Sequence, residues 1–159
     1  MKNNRKVIGL YTRVSTGQKV QFGQGMEQKK GIRVAKELFG QDIDIKFYVD
    51  EGFGPKNNTE RNQMLKDVKQ CKLDAVITYC VSRISTTFSL ALKVVKEIHY
   101  SNVRFISIIE GEYTPLQLNR EFEILGVLAK LERKDHAERI RRGIAFKKHL
   151  KKGGAENGK

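Results

Sequence analysis

Short apolar runs alternate with longer stretches of helical periodicity along most of the chain. Val7-Ile8-Gly9-Leu10-Tyr11 is a compact apolar run and predicts a strand covered on both faces. Residues from Ser15 to Gly25 are polar and glycine-containing and predict a loop. Met26 to Phe39 carries Ile32, Ala35, Leu38 and Phe39 at helical spacing, and Gly40 is placed to end that helix. Ile45, Phe47 and Val49 alternate with polar residues from Asp44 to Val49, the pattern of a second strand. The turn-rich stretch Asp50 to Asn58 follows. Thr59 is then a candidate N-cap for a helix from Glu60 to Gln70, with Met64, Leu65 and Val68 inward. Ala75 to Val81 gives the strongest strand signal, Thr87 to His99 a helix, and Val103 to Ile109 a fourth strand.

Strands and helices alternating at this spacing predict an α/β fold. Right-handed crossovers would give a mainly parallel sheet with helices on both faces. Sites in such folds lie beyond the carboxyl ends of the strands. Ser15 follows the first strand and Ser82-Arg83 follows the third, so both are candidates for one crevice. After a linker around Gly111 to Pro115, a proline-free segment from about Asn119 to Lys152 predicts one helix roughly 50 Å long. Its first half is apolar (Phe122, Ile124, Leu125, Val127, Leu128, Leu131). Its second half is basic (Arg133, Lys134, Arg139, Arg141, Arg142, Lys147, Lys148). The expected division is an α/β domain over residues 1–115, a long helix for assembly and DNA contact over 116–152, and a polar, glycine-rich, disordered tail over 153–159.

Charge changes the picture most. The 159 residues carry a formal net charge of +13. From Lys130 to Lys159 eleven Lys or Arg face four Asp or Glu, so the excess is concentrated near the C-terminus. That distribution suits a polyanionic partner such as a phosphate backbone better than general solubility does. No run approaches the roughly 20 apolar residues of a membrane span, and the basic N-terminus leads only into a short strand, which predicts a cytoplasmic protein. Cys71 and Cys80 are too few for a disulfide framework, and Cys80, in an apolar run, reads as a reduced core residue. His99, His136 and His149 are scattered, so neither a metal site nor a cofactor is expected.

Alone, Ser15 reads as a turn or capping hydroxyl more readily than as a nucleophile. The series it opens is more specific. Tyr11-Thr12-Arg13-Val14-Ser15-Thr16 resembles the Tyr-x-Arg-Val-Ser-Thr signature that begins the catalytic domain of serine site-specific recombinases, the resolvases, invertases and large serine integrases. The resemblance continues through Asp50-Glu51-Gly52-Phe53-Gly54, Arg61-Asn62-Gln63-Met64 and Ser82-Arg83-Ile84-Ser85. It closes on Leu131-Glu132-Arg133 and Glu138-Arg139 leading to Gly143, and covers about residues 5 to 152.

The resemblance implies that Ser15 attacks a phosphodiester of double-stranded DNA while Arg13, Arg61 and Arg83 bind the phosphate. It also implies a covalent 5′-phosphoserine, a free 3′ hydroxyl, and rejoining without ATP. Tyr11, Gln18, Asp50, Glu138 and Arg139 are expected in supporting or DNA-contacting positions. A homodimer pairing into a synaptic tetramer is implied as the working assembly. Arginine suits the role because its planar fork matches phosphate oxygens.

Two departures bear on activity. Ser82 stands where the family usually has aspartate, and Thr86 where it has a second arginine. Lys19 also replaces a glutamine, although Gln18 is adjacent. A catalytically impaired relative that acts as a DNA-binding or assembly protein is therefore the alternative. No helix-turn-helix or zinc pattern follows Lys152, so the sequence reads as a fragment or a truncated gene product. A nucleotide-binding module is disfavoured by the lack of a Gly-x-x-x-x-Gly-Lys or Gly-x-Gly-x-x-Gly loop.

Overall fold

The structure, a computed structural model, describes residues 5–14, 19–52 and 57–156, the side chains at 19–24, 146 and 148–156 excepted. Residues to Asn119 form one compact unit and Arg120 onward a second. The first unit holds a five-stranded sheet: β1 (Lys6–Val14), β2 (Ile43–Glu51), β3 (Ala75–Thr78), β4 (Arg104–Ser107) and β5 (Gly111–Tyr113). The spatial order is β2-β1-β3-β4-β5, with β1 to β4 parallel and β5 antiparallel to β4. The α/β class and mainly parallel sheet expected from the sequence are therefore what the chain adopts.

Helix α1 (Lys19–Phe39) covers one face of the sheet. Ile8, Ala35, Ala75, Ile77 and Ile106 form the core there. Gly31 lets α1 approach closely, since a Cβ at this position would lie 2.4 Å from Leu10 Cδ1. Helices α2 (Thr59–Lys69) and α3 (Phe88–Tyr100) touch each other and cover the opposite face, burying Met64, Val68, Leu92, Val95 and Ile98. Alternation along β1 sends Tyr11 and Arg13 to the α2 face, and the β1–β2 register sets them beside Tyr48 and Asp50. The chain order reverses between β1 and β3, which makes the crevice at their carboxyl ends the topological switch point.

Several boundaries differ from the sequence reading. Helix α1 begins at Lys19, so the stretch read as a loop is helical from there to Gly25. Glycine lowers helix propensity by about 1 kcal/mol but does not forbid the conformation. Strand β3 stops at Thr78, and Val81–Arg83 forms a 3-10 turn, which leaves Cys80 half-buried rather than in the core. The segment read as a linker at Gly111 contains β5, an edge strand of three residues and too short to show a period. Thr59 is not the cap of α2; Asn58 occupies that position without a side-chain cap bond. Gly40 ends α1 with φ +91°, as its placement predicts.

A buried carboxylate ties α2 to β2. Asp67, 1% exposed, accepts hydrogen bonds from Lys46 Nζ at 2.5 Å, Tyr48 Oη at 2.6 Å and Gln63 Nε2 at 3.2 Å. Burial alone would raise its pKa. The hydrogen bonds from Lys46 and Tyr48 and the charges of Lys46 and Lys72 outweigh burial and lower it to about 2. A depressed carboxyl adds stability that is complete above its unfolded value and is lost as pH falls through the folded one. An acid titration should therefore lose about 2 kcal/mol between roughly pH 4 and pH 2 through this group. Chemical denaturation along that series should show the loss in the native chain and a flatter profile in Asp67→Asn.

The second unit is the body of helix α4 (Pro115–Glu156), whose end lies four residues past Lys152, the boundary expected from the sequence. Ile124, Val127, Leu128 and Leu131 fall at helical spacing and are each at least half exposed. Among the described residues no helix is long and apolar enough to cross a membrane, and no three His, Cys, Asp or Glu side chains gather as a metal site would require.

Candidate active site

Ser15 and Gln18 lie outside the described residues. The carboxyl ends of β1, β2 and β3, around them in sequence, carry Arg13, Asp50 and the turn that bears Arg83.

Arg13 is the most enclosed of the candidate arginines, at 2% exposure. Its Nε and Nη2 donate to Tyr11 Oη at 3.2 and 3.1 Å, and Nη2 also donates to the side-chain carbonyl of Asn58. Tyr11 Oη in turn donates to Asp50 Oδ2 at 2.9 Å. Burial pushes the Tyr11 hydroxyl up to about 12, against the Arg13 hydrogen bond and with the Asp50 charge. The phenol therefore stays protonated and acts as a neutral relay between cation and carboxylate.

Asp50 also does what no side chain at Asn58 or Thr59 does for α2. Its Oδ1 accepts the Glu60 amide at 2.9 Å, and its Oδ2 accepts the Arg61 amide at 3.1 Å. A carboxylate at a helix N-terminus satisfies otherwise unpaired amides and complements the helix dipole. One buried residue, 4% exposed, thus fixes the backbone of Arg61 and, through Tyr11, the guanidinium of Arg13.

Arg61 Nη1 donates to the Ile84 carbonyl at 3.0 Å, which ties α2 to the turn carrying Arg83. Arg83 is paired differently: its Nη2 lies 2.6 Å from Glu27 Oε1 on α1. The turn is held from the other side by Glu110, whose carboxylate lies 3.3 Å from the Val81 amide and bonds the Ser107 hydroxyl. Arg13, Arg61 and Arg83 are thus joined through Tyr11, Asp50, Asn58 and the Ile84 carbonyl.

Among the described residues Arg13 and Arg61 form no ion pair. Their contacts are a phenol, an amide carbonyl and a backbone carbonyl, none of which neutralises a guanidinium. Enclosed positive charge that keeps neutral partners is suited to an anion. Ser82 is exposed, with its hydroxyl 3.1 Å from Cys80 Sγ, and Thr86 is exposed. Glu138 and Arg139 lie on α4 in the second unit, where Glu138 is 3.6 Å from Arg142.

The sequence reading missed three contributors. Asn58 sat in a stretch read only as a loop. Glu110 followed the fourth strand without a motif. Glu27 carried the one available signal, being the only acidic residue between Lys19 and Lys36.

The fold recurs in solved structures. The N-terminal catalytic domain of TP901-1 integrase superposes with a TM-score of 0.60 at 22% identity, covering 81% of this chain and 98% of that one. A resolvase family site-specific recombinase from Streptococcus pneumoniae gives 0.59 at 24% identity, covering 90% and 98%. The C-terminal catalytic domain of ISC1926 TnpA, an IS607-like serine recombinase, gives 0.53 at 12% identity, covering 73% and 77%. No curated protein sequence matches the chain. The family model described as the resolvase N-terminal domain matches residues 8–153. By that match, the chain belongs to the resolvase family of serine recombinases and comprises its N-terminal catalytic domain.

Proposed function

We propose that this chain cleaves and rejoins double-stranded DNA in site-specific recombination (integration, excision or inversion), with Ser15 as the nucleophile. The observation that carries the reading is Arg13, a buried guanidinium two residues before Ser15 whose partners are all neutral. Ser15 Oγ attacks phosphorus as the bond from phosphorus to the 3′ oxygen breaks, and the Ser15 proton passes, net, to the departing 3′ oxygen. The products are a Ser15–5′-phosphate ester and a free 3′ hydroxyl. Phosphoester energy is conserved, so the reverse attack by a 3′ hydroxyl needs no ATP. Arg13, Arg61 and Arg83 stabilise the charge that grows on the non-bridging oxygens. Tyr11 and Asp50 hold Arg13 and the start of α2 in place.

Residues 1–115 serve as the catalytic domain, and 116–152 as the helix for assembly and DNA contact. The half-exposed stripe from Ile124 to Leu131 supports dimer formation, and pairing of dimers would supply the tetramer needed to exchange strands. The basic residues from Lys130 onward, Arg139 among them, support contact with the phosphate backbone.

A second reading is favoured by Ser82 and Thr86: an impaired relative that binds DNA or its homologues without cutting. Incubation with DNA containing the recombination site separates the two. A protein–DNA adduct that vanishes in Ser15→Ala is expected from the first. DNA binding without an adduct, where an active relative forms one, supports the second.

A further inference from the structure

We propose that Glu27 is the resident anion of Arg83, a carboxylate that must be displaced before this guanidinium can take a phosphate oxygen. The proposal rests on reading Arg83 as a phosphate ligand.

Of the three arginines, Arg83 alone forms an ion pair among the described residues, at 2.6 Å to Glu27. The pair is well enclosed, with side-chain exposures of 33% for Arg83 and 12% for Glu27. It is also incomplete. Arg83 Nε and Glu27 Oε2 are both buried, and neither has a hydrogen-bond partner among the described residues. An arginine and a carboxylate commonly meet through two parallel bonds, and here they meet through one. A buried donor left unmet carries a desolvation penalty, so the contact leaves Arg83 only partly satisfied. A phosphodiester has two non-bridging oxygens and can meet Nη2 and Nε together, which the single Glu27 contact does not.

The partners sit on separate elements, Glu27 on α1 and Arg83 on the turn after β3. The contact therefore also latches α1 to that turn. Arg13 and Arg61 keep their charge available, whereas the charge of Arg83 is compensated until a competing anion arrives. A lone small anion must pay the full cost of displacing Glu27. A DNA phosphate held by the other two arginines meets that cost with help. Glu27 thus sets how selectively Arg83 responds to a phosphate in the correct place.

The test uses the full chain and sulfate, which stays dianionic across the neutral range. Binding is followed by NMR at the arginine Nε–H groups, with circular dichroism melting to confirm folding. Glu27→Gln keeps the shape and removes the charge, and should bind sulfate roughly tenfold more tightly, about 1.4 kcal/mol. Glu27→Asp, which withdraws the carboxylate by one methylene, should move the same way by less, and carries the test if the glutamine variant does not fold. Adding Arg83→Ala to Glu27→Gln should abolish the gain. Affinity unchanged or weakened in the Glu27 variants, or a gain that survives loss of Arg83, overturns the proposal.

The DNA adduct assay distinguishes this from the reading beneath it. Tighter sulfate binding with no Ser15-dependent adduct in any variant leaves the latch standing and removes recombination. An adduct in the parent chain with no sulfate gain in the variants does the reverse.

Discussion

Replacing Arg13 by glutamine is expected to slow formation of the Ser15–DNA adduct by about 10²–10³, the usual cost of losing one preorganised donor to a developing oxyanion. The size follows from the setting. Arg13 is 2% exposed and is held by Tyr11 and Asn58, so its charge is enclosed and fixed before substrate arrives. Electrostatic stabilisation of that kind needs no reorganisation in the reaction. Arg13→Lys keeps the charge but loses the planar fork, and should recover only part of the rate. Single-turnover kinetics on a fixed DNA substrate check both. A glutamine variant within a few-fold of the parent would place the phosphate away from Arg13.

Asp50→Ala is expected to damage stability and chemistry together. The carboxylate receives the Tyr11 hydroxyl, the Glu60 amide and the Arg61 amide, and is 4% exposed. Its removal leaves a buried phenol and two amides at a helix start without acceptors. Loss of a helix cap and of a charged hydrogen bond sum to about 3 kcal/mol. Urea denaturation should show that loss as a lower midpoint at unchanged slope. Tyr11→Phe removes the bond to Asp50 and the two that Arg13 donates to the phenol, leaving the buried Arg13 Nε without an acceptor, and should cost about 2 kcal/mol. Because Asp50 positions Arg13 and Arg61 without needing to touch phosphate, both variants should also slow adduct formation in conditions where they remain folded. A stable Asp50→Ala protein with full activity would show that the relay through Tyr11 does not hold the site.

The fold was legible because its strands are short apolar runs set between helical periods. The existence of β1 to β4 and the placement of Arg13, Asp50 and Arg83 at or just past strand ends follow from that pattern, whereas the spatial order of the strands does not. What escaped has physical causes. Strand β5 spans three residues, fewer than two periods of alternation. The start of α1 was hidden by Gly23 and Gly25, which signal turns in a sequence but carry only a modest cost in a helix. The capping of α2 by Asp50 is a bond between residues ten apart, brought together by the fold, whereas sequence rules look for a cap at the helix start itself. The Glu27–Arg83 pair spans 56 residues and joins α1 to the turn after β3. Local pattern reveals elements, and charge and motif reveal candidate groups. Partners distant in sequence appear only once topology brings them together.

The most direct test of the central claim is to locate the covalent bond. The protein–DNA adduct, trapped on a DNA substrate and digested with nuclease and trypsin, releases the peptide from Val14 to Lys19, which contains Ser15 and Thr16. Fragmentation mass spectrometry should place a 5′-linked nucleotide on Ser15, with a free 3′ hydroxyl on the other DNA end. A nucleotide on any other residue, or cleaved DNA whose 5′ ends carry no protein, would contradict the account.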